Sequence, residues 1–309
     1  MLIAAALLLV FRNEARPLFD EPAVRSWSTV FVAVGIQALP FLVLGVTISG
    51  VVAAFVSPRA IARVLPRTPL VAVPTAVAAG AFLPGCECSS VPIAGRLVNR
   101  GAPASAALAF LLSAPAINPV VLVATATAFP GQPEMVFARL GASALAATIV
   151  GWVWARFGDD RWIERARAAE HHHSGSKLQT LVSTAQHDFA HAGGFLIVGA
   201  ATAATLQTVV PRSVLDAVAA HGLGAILALG VLAVALAVCS EADAFVAAGL
   251  SQFSLTARLA FLVVGPMVDV KLIALQVGTF GRSFALRFAP LTFVTAITSA
   301  ALVGWIAFR

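Results

Sequence analysis

Charge is what this sequence has least of. Asp, Glu, Lys and Arg make up 11% of 309 residues, 60% are hydrophobic and the mean hydropathy is +0.93, whereas about a quarter of the residues in soluble domains are charged. That shortage excludes a water-soluble globular domain. No charged residue occurs in 26–58, 101–133 or 288–308. Apolar runs of that length exclude a β-barrel of short alternating strands and require helices that satisfy their own backbones. One crossing takes about 20 residues, so the chain has room for at most about eight or nine crossings and no large soluble domain. Cysteine is also scarce. Cys86, Cys88 and Cys239 are odd in number and lie inside apolar segments, so they read as thiols rather than as a disulfide framework. Enzyme signatures are missing too: there is no Gly-x-x-x-x-Gly-Lys loop, His-Glu-x-x-His helix or Gly-x-Ser-x-Gly elbow. The expectation is therefore no enzyme, no cofactor and no resident metal.

The charges that are present lie mostly between apolar segments. A net charge of +6 suggests nucleic acid at first, but the basic residues do not form a face with interleaved aromatics. Arg59, Arg63 and Arg67 share one connection, Arg96 and Arg100 a second, and Arg156, Arg161, Arg165, Arg167 and Lys177 the longest. Such loops belong in the cytoplasm by the positive-inside rule, so the bilayer is the expected partner and nucleic acid is not. His171-His172-His173 reads as a solvated loop, and His187 and His191 as interfacial. Met1–Phe11 is apolar but, at about 1.5 Å per residue, reaches only roughly half of the hydrocarbon core. With the loop that follows, it forms a partial N-terminal element over 1–25.

An offset of 151 brings the chain onto itself. Cys88-Ser89 falls on Cys239-Ser240, Leu108–Leu111 on Leu259–Leu262, Pro115 on Pro266, Phe129 on Phe280 and Asn118 on Asp269. The rarer Cys, Pro and Phe matches hold one register without gaps, which points to an internal duplication. The expected organisation is a first transmembrane repeat over 26–157, a cytoplasmic linker over 158–186 and a second repeat over 187–309. If all the Arg-rich loops face one side, segment 69–98 enters and leaves by that side as a re-entrant hairpin broken at Pro84-Gly85. Three crossings per half then make the repeats inverted. Eight plain spans are the alternative, at the cost of Arg96 and Arg100 lying outside.

Inverted repeats with interrupted helices put their site where the breaks meet, near the bilayer midplane. The breaks here carry Glu87, Cys88, Ser89 and Ser90 in one half and Cys239, Ser240, Glu241 and Asp243 in the other. An ionised side chain at the centre of a span costs about 2.5–3.5 kcal/mol, so Glu87, Glu241, Asp243 and Asp269 should be solvated, paired or protonated. Lys271 is the candidate counter-ion of Asp269, which requires an unwound helix near Pro266 because i and i+2 do not face each other on a regular one. Pro115 and Pro119 free backbone carbonyls near Asn118. Two thiols one residue apart, with a third from the other half, suit a soft, thiophilic solute. Ordinary packing remains open for the cysteines, and a structural network for the carboxylates.

Pro84-Gly85-Cys86-Glu87-Cys88-Ser89-Ser90-Val91-Pro92-Ile93, Ser113–Pro119, Cys239–Phe245 and Gly265–Lys271 together resemble the predicted permease family that includes the bacterial methylarsenite efflux permeases. The resemblance spans roughly 30–308. The resemblance implies inner-membrane transport of a small solute and efflux of a thiophilic trivalent arsenical; the residues themselves offer Cys86, Cys88, Cys239, Ser89, Ser240 and Asn118 as candidate substrate contacts in proton-coupled alternating access. Glu87, Glu241, Asp243, Asp269 and Lys271 are then the coupling or pairing groups. A channel, or the membrane half of a larger assembly, is the competing class, and a homo-oligomer is left open.

Overall fold

The computed structural model describes residues 22–55, 66, 68–83, 87–163, 176–209 and 222–309. The partial N-terminal element up to residue 21, the connection with Arg59, Arg63 and Arg67, the Pro84-Gly85-Cys86 triplet and the three consecutive histidines lie outside the described residues. All regular elements among the described residues are helical. They are α1 (Pro22–Phe55), α2 (Pro69–Gly80), α3 (Glu87–Asn99), α4 (Ala104–Ile117), α5 (Pro119–Ala128) and α6 (Pro133–Phe157), then a 3-10 turn at Asp160–Ile163. There follow α7 (Lys177–Val209), α8 (Gly222–Leu236), α9 (Asp243–Gly249), α10 (Leu255–Val264), α11 (Val270–Thr279) and α12 (Arg282–Ala307).

Local chemistry fixes several of these ends. Pro69, Pro119 and Pro133 open α2, α5 and α6, where the missing N–H would have had no intrahelical partner anyway. Helix α7 starts ten residues before the apolar segment expected from 187. Its start is a capping box: the Ser176 amide donates to Gln179 Oε1 at 2.9 Å and the Gln179 amide to Ser176 Oγ at 3.3 Å. The expected linker over 158–186 is thus helical in its last ten residues.

The same series of elements occurs twice: a long helix, a pair of short helices, an interrupted helix and a second long helix. Helix α4 begins at Ala104 and α10 at Leu255, while α5 covers 119–128 and α11 covers 270–279, so the offset of 151 recurs in the element boundaries. Pro22–Phe55, Ala104–Ala128, Pro133–Phe157 and Arg282–Ala307 are each long and apolar enough to cross a membrane. Helices α10 and α11 have ten residues each and reach only about 15 Å apiece, so they can span only together. Pro69 and Pro103 line one cleft of about 730 Å³ with the end of α6, Trp154 to Asp159. The α2–α3 segment therefore begins and ends at the same end of the bundle, as a hairpin does.

Helix α1 runs along α7 and α6 along α12, while α2 and α3 pack on α4, as α8 and α9 pack on α10. Helix α3 meets α11, and α9 meets α5, across the two halves. Trp154 of α6 makes edge contacts with Phe284 and Phe288 of α12, at 5.2 and 5.6 Å between ring centroids. One feature breaks the correspondence. Helices α1 and α7 lie against α3 and α11, and make no comparable packing on α9 and α5 among the described residues. Glycine permits this fit: a Cβ on Gly45 would lie 2.5 Å from Ser89 Cα, and one on Gly199 2.7 Å from Lys271 Cα. Small residues at such crossings let membrane helices approach closely, where lipid supplies no hydrophobic drive.

Candidate functional site

The site is built on the helix interruptions. After α4 the backbone turns extended at Asn118, whose Oδ1 accepts the Val121 amide at 3.0 Å while Nδ2 donates to the Ala114 carbonyl at 2.9 Å. Asp269 does the same for α11, its Oδ1 accepting the Leu272 amide at 2.6 Å. Two residues aligned by the repeat thus serve as N-caps. Both polar atoms of the Asn118 side chain are spent on stitching the break, so its role in the fold is a cap, whatever it contacts during transport. Pro115 sits inside α4 without ending it, and Pro266 lies in the turn between α10 and α11. Between α8 and α9 the interruption runs from Ala237 to Ala242. Ala237 takes a left-handed φ of 47°, a conformation that costs a non-glycine residue roughly 1–2 kcal/mol. The Cys239 carbonyl gathers the amides of Ala242 and Asp243 at 2.9 and 3.0 Å.

These breaks bring the buried charges into two junctions. In the first, Glu87 opens α3 and Lys271 lies one residue inside α11, both fully buried, with Nζ to Oε1 at 2.8 Å. Asp269 Oδ2 stands 3.5 Å from the same ammonium. The expected pairing of Asp269 with Lys271 is therefore present, and the unwound backbone at Asp269 allows it, but the closer partner is Glu87 from the other half. Cys88 and Cys239, both buried and in no disulfide, lie within electrostatic reach of Lys271. Ser89 is buried beneath Gly45.

The second junction rests on Arg139, a residue the sequence analysis overlooked. It is fully buried in α6, donating from one terminal nitrogen to Thr125 Oγ1 at 2.8 Å and from the other to the Ser240 carbonyl at 3.0 Å. Asp243 and Glu241 are its electrostatic neighbours. Asp243 opens α9, and a Cβ on Gly265 would lie 2.5 Å from its Oδ2. The signal in the sequence was a lone arginine within the apolar run 135–155; a side chain of that length also snorkels to an interface, and only the fold distinguishes the two.

Arg96 also acquires a task beyond marking topology. It lies in the last turn of α3 and forks onto Asp188 of α7, its Nη2 reaching the two carboxylate oxygens at 3.1 and 3.0 Å. Ser49 of α1 donates to Asp188 Oδ2 at 2.6 Å. This cluster ties α1 and α7 to the hairpin beside the first junction. His187 and His191 flank Asp188, with their rings stacked 6.1 Å apart.

A family model described as a predicted permease matches residues 24–305. The chain is 38% identical over 279 residues to UPF0718 protein YcgR of Bacillus subtilis, covering 88% of this chain and 94% of that one. It is 33% identical over 282 residues to a Streptococcus mutans protein named "putative two-component membrane permease complex subunit", covering 89% of this chain and 94% of that one. No solved structure matches. Since the family model takes in both junctions and nearly all the described helices, the chain belongs to the predicted permease family.

Proposed function

We propose that this membrane permease exports a small thiophilic solute, a trivalent arsenical such as methylarsenite, from the cytosol by proton-coupled alternating access of two inverted halves. The observation that carries the reading is the convergence of Cys88 and Cys239, one from each half, beside the Lys271 ammonium where the interrupted helices meet. Cysteine sulfur is the side-chain ligand that soft electrophiles select, and these two come from opposite halves of the chain. Cys86, which lies outside the described residues, is the third candidate ligand. Ser89 and Ser240 line the same breaks, and the buried carboxylates supply groups that can exchange protons as substrate binds. In this reading the chain lies in the cell's inner membrane, with 158–186 on the cytoplasmic side and the two repeats over 26–157 and 187–309.

Uptake of methylarsenite into everted vesicles, followed by mass detection, tests the proposal. Replacing Cys86, Cys88 and Cys239 together by Ser should abolish uptake, and collapsing the pH gradient should slow it. Unchanged uptake in the triple variant removes the thiol ligands from the mechanism, and indifference to the gradient removes the protons. A second reading makes the chain the membrane subunit of a larger assembly for another solute or anion. The printed name of the Streptococcus relative supports it, and a partner protein co-purifying in stoichiometric amount, without which no transport occurs, would favour it. A homo-oligomer is compatible with either reading.

A further inference from the structure

Four buried carboxyl groups surround the helix breaks; three of them open or cap a helix and leave only one oxygen each buried without a partner. Glu87 bonds Lys271 at 2.8 Å and is the first residue of α3. Asp269 caps α11 and stands 3.5 Å from Lys271. Asp243 opens α9, and Arg139 acts on it through space as it does on Glu241. Helix N-termini carry partial positive charge that favours a carboxylate. Glu241 has neither arrangement. Both of its carboxyl oxygens are inaccessible to solvent and without a hydrogen-bond partner. The backbone amide facing them is its own, short of hydrogen-bonding geometry. The Arg139 guanidinium, with both terminal nitrogens committed to Thr125 and Ser240, reaches Glu241 only through space. Glu87 and Lys271 act on it from the other junction, one repelling and one attracting.

An ionised carboxylate withdrawn from water with no donor on either oxygen carries an uncompensated desolvation cost that protonation removes. We infer that Glu241 is a neutral carboxylic acid in this conformation and is the proton-exchanging group of the permease. Its residue as a whole is only part-buried, so a short movement returns the carboxyl to water. The proton then leaves to solvent, and the carboxylate left behind is drawn to Arg139 or Lys271. This rests on the proton-coupled reading above but narrows it to one residue, and it does so with an observable that needs no substrate.

The test is infrared spectroscopy of the full-length protein in liposomes, reading the carbonyl stretch of protonated carboxylic acids, which is separated from the amide bands and shifts in D2O. Wild type at neutral pH should show one such band that disappears as pH rises. Glu241→Gln should remove it, Glu241→Asp should move it, and Asp243→Asn and Asp269→Asn should keep it. Because Gln is shaped like the neutral acid, Glu241→Gln should also melt within a degree or two of wild type. A band that survives in Glu241→Gln, or its absence from wild type, overturns the assignment. If the band behaves as described while vesicle uptake ignores the pH gradient, the assignment holds and the proton-coupled transport reading fails.

Discussion

Removing the charge of Glu87 should have an effect that depends on whether Asp269 is intact. The Lys271 ammonium is buried with one carboxylate at 2.8 Å and another at 3.5 Å. At an effective dielectric near 20, attraction over those distances is about 6 and about 5 kcal/mol, so the two contacts are of similar strength before desolvation is subtracted. Breaking a buried pair outright costs about 3–5 kcal/mol because a charge is stranded. Glu87→Gln strands nothing while Asp269 remains, and it can still accept the Lys271 hydrogen bond, so it should cost about 1–2 kcal/mol. Asp269→Asn retains the cap and should cost a similar amount. The double variant leaves Lys271 without a carboxylate in contact and should cost about 5 kcal/mol or more, beyond the sum of the singles by at least 1 kcal/mol. Adding Lys271→Met to the double should restore most of the stability, since an apolar replacement of a buried ion cluster is often neutral. The assay is reversible unfolding of the detergent-solubilised protein in increasing fractions of a denaturing detergent, followed by tryptophan fluorescence. Additive single costs, or no recovery with Lys271→Met, would refute the geometry in which one ammonium is shared by two carboxylates.

The other expectations concern the packing and the second junction. Arg139→Lys keeps the charge but loses the fork between Thr125 and the Ser240 carbonyl, so transport should fall at least tenfold and stability by about 1.5–3 kcal/mol; flux and melting measured on the same preparation check it. Asn118→Asp keeps the capping oxygen but sets an acceptor against the Ala114 carbonyl in place of the Nδ2 donor, and Asn118→Ala loses both contacts, so each should lose about 1–3 kcal/mol in the same unfolding assay. Gly45→Leu should sharply reduce the folded, monodisperse fraction in size-exclusion chromatography by driving α1 off Ser89, while Gly35→Ala, with open space around its Cα, should leave the elution profile unchanged.

Much of this architecture is legible in the sequence because its signals are local. Apolar runs give the helices, Pro119 with Asn118 marks one interruption, and the 151-residue register transfers that mark to Asp269. The location of the carboxylates follows from their cost in an apolar setting. What stays hidden is which charge meets which. Glu87 and Lys271 are 184 positions apart, and no periodicity connects them. Asp269 and Lys271, two apart, look like the natural pair, and only the crossing of α3 over α11 brings in the closer acid. Arg139 is hidden for a different reason: six residues after the start of α6, it has the spacing of a side chain that snorkels, and its burial comes from α5 and the Ser240 turn. Arg96 reads as a loop charge because its partner Asp188 belongs to a helix of the other half. The early start of α7 was visible in Ser176 and Gln179, and hydropathy alone passes over it.

The division of Glu87 and Lys271 between the two halves has a consequence for how the protein is made. Chains are synthesised at about 5–20 residues per second, so the acid emerges roughly 10–40 s before its base across the 184 intervening residues. During that interval Glu87 lacks its ammonium partner, and the buried contact between α3 and α11 can form only after the second half has been made. The first junction is therefore completed only late in synthesis, once most of the chain has been made. A ribosome stalled between the halves would leave a chain whose first junction lacks its base.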